Sequence, residues 1–316
     1  MFIIDFDLPR FFLLLIIIGI TTITTLSLAF SSYLSYINIS HNILNILVIS
    51  IPTIINIISV KYTSNFNIFI TCLESAGLIA IILFSLNKWN IPRLLTNPNG
   101  AKGILRSSFL TIFAYLGFEA LVKLNEETIN PKVNIPKGIK YSIITAIIIY
   151  VLVSISTLSI LGFKKMTVSN SPISDTAFTL LGQNFKNTID LIAVISISSS
   201  ILLSILSNSR LLYGISKKNL LPKIFSDINP ITKTPIKSIL FISIIAYLLT
   251  FIKNVELSTT FTNIIIFIVF ILVNLAAIIQ KYKDKNKIPL YSILGLLSTT
   301  FMVFLSFYNN YFKITT

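Results

Sequence analysis

The sequence predicts an all-α protein that crosses a membrane many times, on three observations. Apolar runs of about 18 residues or more recur along nearly the whole length, each long enough to cross a bilayer as a helix. The chain is 54% hydrophobic and only 11% charged, whereas a soluble domain carries about a quarter charged residues. Its polar stretches reach about 20 residues, too few to enclose a core of their own. One polytopic domain over residues 1–316 follows.

About nine spans account for the runs, taken in order. The first, 10–37, reads RFFLLLIIIGITTITTLSLAFSSYLSYI. The next two, 44–61 and 65–87, hold a single acid, Glu74, in the stretch TCLESAGL. The fourth, 107–124, carries Gly117, Glu119 and Lys123, and the fifth follows at 139–162. Residues 171–184, SPISDTAFTLLGQN, read as a short amphipathic surface helix opened by Ser171 as cap and Pro172 in the first turn. The remaining spans are 188–214, 236–253, 258–280 and 289–309.

The net charge of +14 does not point to nucleic acid, because the basic residues lie in short loops between apolar runs, where they set topology. With the N-terminus inside, Arg10, Lys61 and the basic residues of 123–140, 210–237 and 281–287 gather on the cytoplasmic side. Arg210, Lys217, Lys218 and Lys223 read as anchors there. One loop disagrees: 87–106 places Lys88, Arg93, Lys102 and Arg106 on the outer face. The start, MFIIDFDLPR, has acids and no basic n-region, so it does not read as a signal peptide. Cys72 is the single cysteine and His41 the single histidine. No metal-ligand cluster or nucleophile–base pair can be built from them, so no enzyme, metal or cofactor is expected.

The fourth span raises the functional question. A charged residue inside a bilayer is costly unless it is paired or faces water, and Glu119 has Lys123 one turn later at i,i+4. Gly117 lets the backbone leave helical geometry there. A glycine-interrupted apolar segment with a flanking acid is the pattern of a discontinuous transporter helix, although a lone glycine also serves ordinary helix packing. Pro131 and Pro136 follow in NEETINPKVNIPKG, stopping this helix and starting the next.

As a whole, FAYLGFEALVKLNEETINPKVNIPKGI resembles the sixth helix and following loop of the amino acid–polyamine–organocation permeases, approximately F-A-Y-x-G-F-E, then E-E-T-x-N-P and I-P-x-x-I. Residues 51–84 resemble that family's fourth and fifth helices, with Ile58 where the family has glycine. Residues 207–239, SNSRLLYGISKKNLLPKIFSDINPITKTPIKSI, resemble the end of its eighth helix and the loop after it, and 267–279 its tenth. By this resemblance 10–87 stand for helices 3–5, 107–280 for helices 6–10, and 289–309 for helix 11. The first span has one glycine, Gly19, and lacks the family's glycine-rich first-helix pattern. The first two helices and the twelfth are therefore expected to be absent from this chain. What the resemblance implies is an incomplete inverted-repeat (LeuT-like) transporter fold.

The implied function is secondary transport of amino acids by alternating access, in an integral membrane, with proton coupling as one option. The implied partners are an amino acid substrate, the lipid bilayer and a chain that supplies the missing helices. The alternative is a non-transporting subunit or decoy that binds another permease. Phe113, Ala114, Tyr115, Leu116 and Gly117 would form the unwound segment, whose backbone carbonyls and aromatic ring meet the substrate. The plainer reading is helix packing with Tyr115 in an interhelical hydrogen bond. Ser198 and Ser199 would line the substrate or ion site, or else let helices approach closely. Glu74, with no cation within one turn, suits proton coupling or a buried hydrogen bond. Glu119 suits coupling or a structural pair with Lys123. No lysine lies between Asn65 and Asn87, so a lysine that mimics sodium finds no support.

Overall fold

The computed structural model describes residues 8–34, 39–58, 63–95, 97–118, 128–169, 171–283 and 289–314, and among them every regular element is helical. In chain order the helices are α1 (Leu8–Tyr33), α2 (His41–Ile58), α3 (Thr63–Ser85), α4 (Ile91–Leu94), α5 (Gly100–Thr111), α6 (Pro131–Val168), α7 (Pro172–Leu181), α8 (Gln183–Lys217), α9 (Ile236–Leu249), α10 (Val255–Lys283) and α11 (Leu290–Ile314). Six segments are long and apolar enough to cross a membrane, in α1, α2, α3, α6, α8 and α10, and two shorter apolar helices cover Ile236–Ile252 and Leu290–Ser306. The chain is a multi-pass membrane protein.

The main core lies where α1, α2, α8 and α9 meet. Ile20 and Ile23 of α1, Val48 and Ile49 of α2, Ile201 and Ile205 of α8 and Ile242 of α9 are buried together. Lipid is as apolar as these side chains, so burial alone does not hold membrane helices together; close packing and interhelical hydrogen bonds do. Those bonds are present. The Thr24 hydroxyl donates to the Ala246 carbonyl at 3.1 Å, that of Thr53 to Ser243 Oγ at 2.7 Å, and Asn56 Nδ2 to the Leu202 carbonyl at 3.0 Å. Thr25 and Ser258 share a 2.7 Å bond that ties α1 to α10.

Three elements differ from expectation. The helix of the fourth span begins at Gly100, seven residues before the expected 107, and stops being α-helical at Thr111. The helix of the fifth span begins at Pro131, with Asn130 in the left-handed region before it, so Pro136 sits inside the helix rather than ahead of it. Pro131 occupies a first-turn position, where its missing N–H costs nothing. Finally, α7 keeps an exposed face at Phe178, Thr179 and Leu181, as an amphipathic helix does, but its other face is docked into the helices. Ser174, Thr176, Ala177 and Leu180 are buried where α7 packs against α6, α8 and α3. Ser171 stands at its N-cap, but its side chain makes no capping bond. Its amide donates instead to Ser169 Oγ at 3.2 Å, and that hydroxyl donates to Asp175 at 2.5 Å.

Candidate site at the interrupted helix

After Thr111 the chain tightens into a 3-10 turn over Ile112–Tyr115. Leu116 is then extended (ψ 150°) and Gly117 has φ +118°. A Cβ added at Gly117 would meet nothing within 4 Å. What glycine supplies here is therefore a backbone angle closed to other residues, not room.

A helix end leaves carbonyls without partners inside the membrane, where no water can take them, so each must find a donor in the protein. The Phe109 carbonyl accepts from Asn263 Nδ2 of α10 at 2.7 Å, that of Phe113 from the Leu116 amide at 3.1 Å, and that of Ala114 from the Tyr150 hydroxyl of α6 at 3.1 Å. Packing fixes both sides of the interruption to α10. Phe109 meets Phe267 with centroids 5.6 Å apart, and Phe118 stacks on Phe270 at 6.1 Å. Leu116 packs against Ile18, Ile265, Ile266 and Val269. Among the described residues, Tyr115 makes no interhelical hydrogen bond of the kind the plainer reading gives it. Its ring meets that of Tyr150 edge-on at 5.3 Å, and Tyr150 makes the bond.

Glu74 of α3 is bonded to α8. Its Oε2 accepts from the buried Ser196 Oγ of α8 at 2.6 Å. Its carboxyl lies within electrostatic reach of Tyr150, which also feels Tyr115, and of Tyr33 at the end of α1. Tyr33 is in similar reach of Asp190, a buried carboxyl of α8. The bond from Ser196 gives Glu74 the hydrogen-bonded setting foreseen as one of its two readings, although its residue is exposed rather than buried in this chain.

The two serines singled out in α8 diverge. Ser199 donates to Asn67 of α3, while Ser198 donates to the Val194 carbonyl of its own helix at 2.8 Å. Neither is brought to Phe113–Gly117 by a hydrogen bond that the structure shows. Glu119 and Lys123 lie outside the described residues. Sequence reasoning missed Tyr150, Ser196 and Asn263. For Ser196 the signal was present, because it lies in the same serine run and one turn from Ser199.

The discordant basic loop also finds an explanation. Arg93 Nη1 donates to the carbonyls of Ser159 (2.7 Å) and Ile160 (3.1 Å), where α6 breaks at Gly162 with φ +70°. Arg106 pairs with Glu256 of α10. These two arginines carry interhelical contacts and are not only topology signals. Beside Arg106, a cleft of about 660 Å³ runs along α5, lined by Asn97, Arg106, Ser107, Thr111, Tyr115 and Phe163 among others.

A helix that leaves helical geometry after Thr111 and turns at Leu116 and Gly117, with carbonyls there taken up by side chains of two neighbouring helices and a cleft alongside, sits in a chain with six helices long and apolar enough to cross a membrane, which places it in the class of multi-pass membrane proteins. A family model described as amino acid permease matches residues 8–316, and the chain belongs to that family. It is 29% identical over 204 residues to a vacuolar cationic amino acid transporter of Arabidopsis thaliana, a match that covers 64% of this chain and 34% of that protein. It is 28% identical over 214 residues to a branched-chain amino acid permease of Bacillus subtilis (66% and 46%), and 26% identical over 250 residues to a methylthioribose transporter of the same bacterium (76% and 53%). The chain thus spans about a third to a half of the length of these curated relatives.

Proposed function

We propose that this chain carries amino acids across a membrane as a secondary transporter, with the substrate held at the interruption between Ile112 and Gly117. The observation that carries the reading is the backbone there, which turns at Leu116 and Gly117 beside Tyr115 and the cleft. Peptide carbonyls at a break in helical geometry, such as that of Ala114 held by the Tyr150 hydroxyl, can be handed over to a substrate ammonium, which suits a zwitterion that needs partners without a net charge in the pocket. The relatives named for amino acid transport support the substrate class.

Glu74 is the candidate coupling group. Ionisable residues within spans mark ion and substrate pathways, and Glu74 lies within electrostatic reach of Tyr150, which bonds the Ala114 carbonyl. Substrate arrival at Ala114–Gly117 would disturb that hydroxyl, and with it the surroundings of Glu74.

The test is uptake of radiolabelled amino acids into vesicles that hold the purified protein. Saturable uptake by the unaltered chain, lost in Gly117→Val while the protein stays folded, supports the reading. Undiminished uptake in Gly117→Val would remove the interruption from the mechanism. No uptake of any amino acid would end the transport reading.

A further inference from the structure

We propose that the cleft along α5 is a docking site for the α-carboxylate of an amino acid on its way to the interruption, with Arg106 as the residue that receives it. The inference rests on the transport reading above and names a second, outer stage of the same path.

The cleft, at about 660 Å³, falls within the range of small-molecule sites, about 300–1,000 Å³. It lies toward the membrane face that carries α7, since Phe163 follows the α6 break that leads into that helix. Its lining mixes polar and apolar groups along α5, with Asn97, Asn99 and Ile104 toward the start, Ser107 and Thr111 farther on, and Tyr115 at the end. Arg106 is the one charged side chain among the described lining residues. A molecule with an anionic head and a variable tail fits such a wall, the head at its single cation, Arg106, and the tail toward Ile112 and Tyr115. Arg106 and Tyr115 are nine positions apart in sequence, about 14 Å along a helix at 1.5 Å per residue. A single amino acid cannot touch both with its carboxylate, so this stage precedes the interruption.

Arg106 is available for the exchange. Guanidinium offers five donors in a planar fork that matches a carboxylate. Glu256 takes up only Nη2, and among the described residues nothing else bonds the group. Both partners are 46% exposed, and half-exposed pairs of this kind contribute little to stability and yield readily to a competing anion. Glu256 is thus a placeholder that holds the fork in position until a substrate carboxylate arrives.

The experiment measures equilibrium binding of radiolabelled leucine and lysine to the full chain in lipid nanodiscs, with competition by the same amino acids and by their carboxamides. The unaltered protein should prefer the carboxylate form by about tenfold or more, the scale of one hydrogen bond to a charged group. Arg106→Gln should reduce that preference by about tenfold, and Glu256→Gln should keep or sharpen it. An unchanged preference in Arg106→Gln overturns the inference, whether or not uptake persists. So does an equal loss in Glu256→Gln, which would make the pair a strut. If the unaltered chain binds none of a panel of twenty amino acids, the inference and the transport reading fall together. Saturable uptake with no preference for the carboxylate form overturns the inference alone.

Discussion

Tyr150 of α6 holds the Ala114 carbonyl of the 3-10 turn after α5 at 3.1 Å while its ring rests edge-on against Tyr115. One side chain therefore does two separable things: its hydroxyl satisfies a backbone acceptor, and its ring supports the neighbouring aromatic. Tyr150→Phe removes the first and keeps the second. We expect it to cost about 0.5–1.5 kcal/mol in stability, the net value of one such bond, and to change uptake more than stability, because the freed carbonyl lies in the proposed substrate segment. Thermal unfolding and uptake kinetics on the same preparation check this. Equal small losses in both would make Tyr150 a packing residue only.

Ser196 and Ser198 provide a matched pair on α8. Ser196 Oγ reaches across to Glu74, whereas Ser198 Oγ returns to its own helix at Val194. Ser198→Ala should leave uptake unchanged, since an intrahelical hydroxyl bond of this kind adds little to a helix. Ser196→Ala removes the hydrogen bond to a carboxylate and should weaken uptake by about tenfold, the scale of a charge-assisted bond. The check is the ratio of the two variants' uptake rates. A ratio near one would place Glu74 outside the transport path.

The sequence made the spans legible because hydropathy in runs of helix length has few alternative meanings in so apolar a chain. The break was legible for a local reason, Gly117 with the acid Glu119 beside it in an apolar run, and its expected limits Phe113–Gly117 overlap the observed 3-10 turn and the extended Leu116. What hydropathy could not see was polar helix. GAKGILRS opens α5 and PKVNIPKG opens α6, yet neither is apolar enough to signal a span. Cross-helix partners were hidden for another reason. Tyr150 and Ala114 are 36 residues apart, Ser196 and Glu74 are 122 apart, and no local spacing announces either pair. Only the packing of α6 and α8 against their neighbours brings them together.

Gly19 shows how close α1 and α8 come. A Cβ there would lie 2.1 Å from Asn208 Cγ and Oδ1. Asn208 is buried and its Nδ2 donates to the Ser204 carbonyl at 2.7 Å, so its short side chain has little room to move. Gly19→Ala should destabilise the protein by about 1–3 kcal/mol, the usual cost of overpacking. Asn208→Ala in the same chain should recover part of the loss, with a coupling of about 0.5–3 kcal/mol between contacting sites. Unfolding of both single variants and the double variant measures it; strict additivity would mean that the two helices separate locally at no cost.

Arg93 separates two accounts of the same charge. As a topology signal alone, it would be replaceable by lysine without effect, because the positive-inside bias counts both equally. As a donor to the Ser159 and Ile160 carbonyls it is not replaceable, because one Nη1 serves two acceptors just before the helix breaks at Gly162, and the fork geometry does not transfer to an ammonium. The last carbonyls of a helix carry partial negative charge, which a cation there offsets. Arg93→Gln should therefore cost about 1.5–3 kcal/mol, the range for hydrogen bonds to a charged group, and Arg93→Lys should recover only part of it. Lys88→Gln, in the same loop and exposed, should change stability little. Phe163 follows Gly162 directly and lines the cleft, so loosening this end of α6 should also weaken substrate binding. Thermal unfolding of the three variants decides between the accounts: an Arg93→Lys protein as stable as the unaltered one returns Arg93 to the role of a topology signal.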